Sequence, residues 1–188
     1  MVTEQLWWYV ARAGGIVSLF LAGASVLWGL LLSTGYLERN PTKKWLLGLH
    51  RWLGGLTVTF TGLHVLGLWL DSYIQYSFAD LFVPFFSGKE PGRWAIAWGV
   101  VSFHLLAAVQ VTSLLMRRLP RRVWRAIHMS SFVLFFAGIV HGFMAGTDAS
   151  NPAYIGGVVA MALATVFLST YRVLTRRPKR RPVAVGAV

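Results

Sequence analysis

Four of the five histidines in this 188-residue chain fall into a spaced pattern inside long apolar runs. His50 and His64 are 14 residues apart, and His128 and His141 are 13 apart. At helical rise these separations are about 21 and 20 Å. Both fit a hydrocarbon core of about 30 Å with one imidazole toward each face. His50 follows Lys44 by six residues, as His128 follows Arg122; His64 precedes Asp71 by seven, as His141 precedes Asp148. One complete apolar run separates the two, so they cross in the same direction and the depths match in two pairs. Ionisable groups at membrane depth are costly and mark functional positions. Two imidazoles facing each other across a bundle, twice, is the geometry for two axially coordinated haems stacked across a membrane. Neutral imidazole is a standard haem ligand, and bundle cores hold cofactors between facing helices.

One spacing suits this better than the other. Fourteen residues return His64 to within about 40° of the His50 face, whereas thirteen leave His141 about 140° from His128. A bulge, a tilt or cofactors on different flanks would have to absorb the difference. Glycines surround the histidines: Gly48, Gly54 and Gly55 near His50, Gly62 and Gly67 near His64, and Gly138, Gly142 and Gly146 around His141. They leave space for a flat ring, and they serve plain helix packing equally well. Ser130, Ser131, Thr57 and Thr61 could bond the far nitrogen of an imidazole or simply a backbone carbonyl. His104 stands near mid-bilayer without a matched partner and reads as structural.

The elements that must position these residues are five apolar runs: Leu6–Leu32, Leu46–Leu70, Trp94–Met116, Ile127–Met144 and Tyr154–Leu174. Each approaches the 20 or so residues that a spanning helix needs. Asn40-Pro41, Pro91-Gly92, Pro120 and Asn151-Pro152 punctuate the connections, where proline ends the helical ladder. In lipid a helix satisfies its own backbone, and no ten-residue alternation suggests a barrel. Composition agrees: 56% hydrophobic, 13% charged, no cysteine and a formal net charge of +12. The absence of cysteine excludes disulfides, thiolate metal sites, iron–sulfur clusters and covalent C-x-x-C-H haem. The apolar content argues against a nucleic-acid module and makes the lipid bilayer the natural partner.

The first run carries Glu4 and no preceding Lys or Arg, and is too long for a signal peptide. Arg39, Lys43 and Lys44 lie in the first connection, five arginines from Arg117 to Arg125 in the third, and six more basic residues from Arg172 onward. Five of the six acids lie on the opposite side. The positive-inside rule therefore puts the N-terminus outside and the C-terminus in the cytoplasm. The expected organisation is an all-α membrane domain over residues 1–174, a bundle of five transmembrane helices, and a basic cytoplasmic tail over 175–188. The tail reads as an orientation anchor or a docking site for anionic lipid or an acidic partner. Residues 71–93 read as an amphipathic segment on the outer interface.

The words Leu-His-Arg-Trp at 49–52 followed by His64, and Trp-Arg-Ala-Ile-His at 124–128 followed by His-Gly at 141–142, resemble the ferric reductase-like transmembrane domain superfamily over roughly residues 7–174. That group includes ferric reductases, NADPH oxidases and the haem-binding subunit of the bacterial methionine sulfoxide reductase system. The resemblance implies an inner b haem on His50 and His128 and an outer one on His64 and His141. It also implies Arg12 as a partner of a haem propionate, with Arg51 suited to the same task on the inner side; snorkelling is the competing reading for both. An aromatic between the haems falls on Phe135, which packing alone would also explain.

No Gly-x-Gly-x-x-Gly occurs, and the chain departs from oxidases that carry their own flavin and nicotinamide domain. The smaller bacterial members are the closer analogy. The expectation is an oxidoreductase membrane subunit in a bacterial plasma membrane, without a dehydrogenase domain of its own. Electrons would come from a separate flavin-dependent reductase or a quinol, with any flavin on the partner. They would leave to ferric iron, oxygen or a redox partner at the outer face. The competing reading is a haem or metal carrier or an assembly subunit without redox turnover.

Overall fold

The structure, a computed structural model, describes residues 2–33 and 43–175, with side chains from residue 5 in the first stretch and residue 45 in the second. The basic tail beyond Thr175 and the first connection, with Arg39 and Asn40-Pro41, lie outside the described residues. Seven helices follow in order: α1 (Val2–Ser33), α2 (Lys43–Leu70), α3 (Phe78–Phe82), α4 (Arg93–Leu114), α5 (Arg121–Met129), α6 (Ser131–Ala145) and α7 (Pro152–Leu174). No strand occurs among the described residues. Five stretches are long and apolar enough to cross a membrane, α5 and α6 together forming the fourth, Arg121–Ala145. The chain is an all-helical, multi-pass membrane protein.

Two antiparallel pairs build the bundle. The α1–α2 contact is the most extensive, α4 packs along α6, and α7 covers the other side of α1. Glycine permits the closest of these approaches. A Cβ on Gly67 would come 2.7 Å from the Ala11 backbone nitrogen, and one on Gly14 would come 2.9 Å from that of His64. Small residues of this kind let membrane helices exchange dispersion contacts backbone to backbone. Hydrogen bonds join the same pairs. Trp28 Nε1 donates to the Leu46 carbonyl at 2.9 Å, and Ser102 Oγ donates to the Leu134 carbonyl at 3.0 Å.

The fourth span is not one continuous helix. At Ser130 the backbone N–H donates to Ile127, three residues back, at 3.0 Å. The Ser130 hydroxyl donates to the same carbonyl at 2.6 Å. An i→i−3 turn overwinds the helix locally, so the regular register is not carried from α5 into α6. The interruption falls between His128 and His141, where thirteen residues of regular helix would leave a mismatch of about 140°.

Residues 71–93 fold down onto the bundle. The Ser77 hydroxyl and the Asp80 carboxylate cap α3 reciprocally, a capping box that starts the helix. Lys89 bridges Asp80 at 3.1 Å and also donates to the Gln75 carbonyl, while the Tyr76 hydroxyl donates to the Glu90 carbonyl. Beneath them Tyr76, Leu81, Ile96 and Val100 form a buried apolar cluster. The interfacial segment expected from its composition is thus a tied cover, and its inner side lines a cavity within the bundle.

Candidate functional site

The four spaced histidines meet in pairs. His64 of α2 and His141 of α6 have ring centroids 6.1 Å apart with an interplanar angle of 74°. His50 of α2 and His128 of α5 have centroids 6.0 Å apart at 72°. Metal–imidazole bonds of about 2 Å on each side of one ion, with roughly 1 Å from each nitrogen to its ring centre, require centroids about 6 Å apart. Both pairs have the spacing of two imidazoles on one metal centre.

Backbone carbonyls orient the first pair. Nδ1 of His64 donates to the Ala11 carbonyl and Nδ1 of His141 to the Ala95 carbonyl, each at 2.7 Å. A carbonyl only accepts, so the proton sits on Nδ1 and Nε2 keeps its lone pair for a metal. One turn beyond each carbonyl stands a glycine. A Cβ on Gly15 would lie 2.9 Å from Nδ1 of His64, and one on Gly99 would lie 2.7 Å from the His141 ring. The two sets share a sequence word, Ala-x-Ala-x-Gly, at 11–15 and 95–99. The α1–α2 pair and the α4–α6 pair therefore present their histidines by the same device.

The second pair is held more loosely. Nδ1 of His50 lies 3.4 Å from Ser25 Oγ, and Nδ1 of His128 lies 3.4 Å from Ser113 Oγ. Gly29 stands beside the His50 ring, its would-be Cβ 3.3 Å from Cε1. Trp124 stacks on His128, with centroids 5.1 Å apart and planes 24° from parallel. Here too the supporting residues alternate between α1 and α4.

A cavity of about 440 Å³ adjoins His64 and His141 and extends beneath the 71–93 cover. Phe135, 1% exposed, lines it from α6 between the two histidine levels. Arg12 stands at its rim, where its Nε donates to Asp148 Oδ2 at 2.7 Å and its Nη2 to Oδ1. The guanidinium also lies 5.1 Å from the Trp8 ring centroid. Its hydrogen bonds hold the Asp148 carboxyl below the usual carboxylate range. In the cover, hydrogen bonds from Ser77 hold Asp80 low in the same way, and burial pushes the Tyr76 phenol up to about 12.

Arg51 is exposed on a separate shallow groove of α2, beside Gly48, Trp52 and Gly55. His104 faces outward from the bundle and bonds the Val100 carbonyl of its own helix at 2.8 Å. Thr57 likewise bonds Leu53, four residues back, and Ser130 bonds Ile127, so neither bonds an imidazole. The residues that do were not singled out from the sequence: the carbonyls of Ala11 and Ala95, and the hydroxyls of Ser25 and Ser113. The repeated Ala-x-Ala-x-Gly word was the one available signal for the first two.

The donor set fits a haem better than a bare ion. Among the described residues no group of three or more His, Cys, Asp or Glu side chains converges. Each pair offers two imidazoles, the axial complement of a porphyrin that brings its own four equatorial nitrogens. Gly15, Gly99 and Gly29 let the neighbouring helices close directly onto the imidazoles and fix where the rings stand.

Neither curated proteins nor solved structures yield a match to this chain. A family profile described as "Ferric reductase like transmembrane component" matches residues 7–139. The match takes in His50, His64 and His128 and stops two residues short of His141, which the fold brings to His64. It spans well over half of the chain, and the chain belongs to the ferric reductase-like transmembrane family.

Proposed function

We propose that this protein carries electrons across the membrane through two b haems, one held by His50 and His128 and the other by His64 and His141. The observation that carries this reading is the pair of imidazole couples at nearly the same separation, 6.0 and 6.1 Å, one between α2 and α5 and the other between α2 and α6. A b haem supplies a reversible one-electron iron couple, which no side chain of this chain can supply. The histidines would hold the metal at fixed positions. The Ala11 and Ala95 carbonyls set the tautomer of one pair and raise its basicity as ligands. Two protein ligands per iron leave a substrate no coordination position, so the chain acts as a conduit and substrate meets it at an edge or on a partner. Phe135 fills the space between the two levels and keeps water out of it. Arg12, in the lining of the cavity beside His64 and His141, is the basic side chain suited to a haem carboxylate at that end, whereas Arg51 opens onto a separate groove.

The donor in this reading is a separate flavin-dependent reductase or a quinol on the arginine-rich side. The acceptor is ferric iron, oxygen or a redox protein at the covered side. The protein is then the membrane subunit of an oxidoreductase. A pyridine haemochrome assay on purified, haem-replete protein should give two haems per chain, low-spin by absorbance. Replacing His64 or His141 by Ala should remove one of them, and replacing His50 or His128 the other. A content of one haem in the native chain, or loss of the same haem from H50A and H141A, would overturn the assignment.

A further inference from the structure

The indole nitrogen of Trp124 is buried and has no hydrogen-bond partner among the described residues. An indole N–H is donor only, and a buried donor left unpaired is rare in native proteins. Stacking on His128 fixes the orientation of the ring, so the N–H cannot swing away to find water. Trp124 lies one turn before His128 on α5, toward the arginine-rich end of the bundle. There Arg121, Arg122 and Arg125 are exposed. No acidic residue occurs between Glu90 and Asp148, so the described residues at this end offer the indole no carboxylate; Glu38, in the first connection, lies outside them. What is missing is an acceptor, anionic by the charge around it, next to the His50–His128 pair.

We propose that Trp124 is a binding residue for the haem held by His50 and His128, its Nε1–H donating to a carboxylate of that haem. The inference rests on the haem reading above. It accounts for two features together: a donor without a partner, and an aromatic ring stacked flat on one imidazole of the pair. It also separates the two sites chemically. The His64–His141 pair is set by carbonyls behind the imidazoles. In the His50–His128 pair, whose serine contacts are long, binding would depend on a contact to the periphery of the haem.

The test uses Trp124→Phe in the full chain, which keeps the stacked ring and removes the N–H. The haem in question is identified as the component missing from H50A. In W124F its transfer to an apo-acceptor should be roughly tenfold faster, the scale of one hydrogen bond to a charged group. Its midpoint potential should fall, because a carboxylate that has lost its donor favours the ferric state, while the His64–His141 haem keeps both properties. Ultraviolet resonance Raman should show a hydrogen-bonded indole that W124F lacks and that H50A shifts toward the free N–H. Unchanged transfer rate and potential in W124F would overturn the inference and leave Trp124 a packing residue. An indole bonded equally in H50A would overturn it as well, by giving the acceptor to the chain or to lipid. Native protein holding no haem that depends on His50 would instead bring down the haem reading itself.

Discussion

A methyl group added at Gly99 would lie 2.7 Å from the His141 ring, and one at Gly15 would lie 2.9 Å from Nδ1 of His64. Either must push an imidazole off its carbonyl, an overpacking that costs about 1–3 kcal/mol. Gly99→Ala and Gly15→Ala should therefore lower the occupancy of the His64–His141 haem at least several-fold in a haemochrome assay and spare the other haem. Gly62→Ala is the control, because nothing lies within 4 Å of its would-be Cβ. Equal loss in all three variants would assign the effect to general destabilisation. At the rim of the same cavity, Asp148 has its pKa lowered by hydrogen bonds from Arg12. A depressed carboxylate contributes its tie above the unfolded pKa and loses it as pH falls through the folded value. Infrared titration should thus find the Asp148 carboxylate ionised through mild acid, with protonation only below the usual carboxylate range. Asp148→Asn should abolish that band.

At the scale of elements, the break at Ser130 and the cover over 71–93 have the largest consequences. A regular fourth helix would point His128 and His141 about 140° apart; the ladder breaks at Ser130 between α5 and α6, and each of these histidines meets one of α2. The cover is pinned at its ends by Tyr76 to Glu90 and by Asp80 to Ser77 and Lys89. Burial raises the Tyr76 phenol to about 12. A phenol whose folded pKa exceeds its unfolded one stabilises fully below the unfolded value, and the contribution is lost as pH rises through the folded value. Protection of residues 71–93, corrected for intrinsic exchange, should then be constant up to the ordinary tyrosine value and fall progressively as pH rises from there toward about 12, and Tyr76→Phe should remove that fall. Asp80→Asn weakens both halves of the capping box, worth about 1 kcal/mol, and should speed exchange across α3 by roughly fivefold.

For the whole molecule the question is direction. Basic residues crowd the connection between α4 and α5, while Asp71, Asp80, Glu90 and Asp148 lie at the opposite end. A reporter fused after Val188 should read cytoplasmic and one inserted near Gly88 external; the reverse would exchange the donor and acceptor sides. A conduit must also keep its cofactors. In vesicles containing only this protein, a reductant on the arginine-rich side should reduce both haems, and an impermeant ferric chelate on the other should reoxidise them at constant haem content. Haem appearing in an apo-acceptor at the rate of turnover would decide for a carrier.

Five spans, their boundaries within a few residues and the depth matching of four histidines were all legible in the sequence. Hydropathy, helical rise and the thickness of a bilayer are properties of single helices, and each constrains position along one axis. Rotation about that axis is different. It depends on which helices touch and on where a ladder breaks, so the thirteen-residue spacing alone does not decide which way His128 and His141 face. For the same reason sequence proximity left Thr57, Thr61, Ser130 and Ser131 open between imidazole and backbone partners, whereas the fold uses Ala11, Ala95, Ser25 and Ser113 on neighbouring helices to hold the imidazoles. Backbone carbonyls carry no residue-type signature, and only the packing of α1 on α2 and of α4 on α6 decides which of them an imidazole can reach.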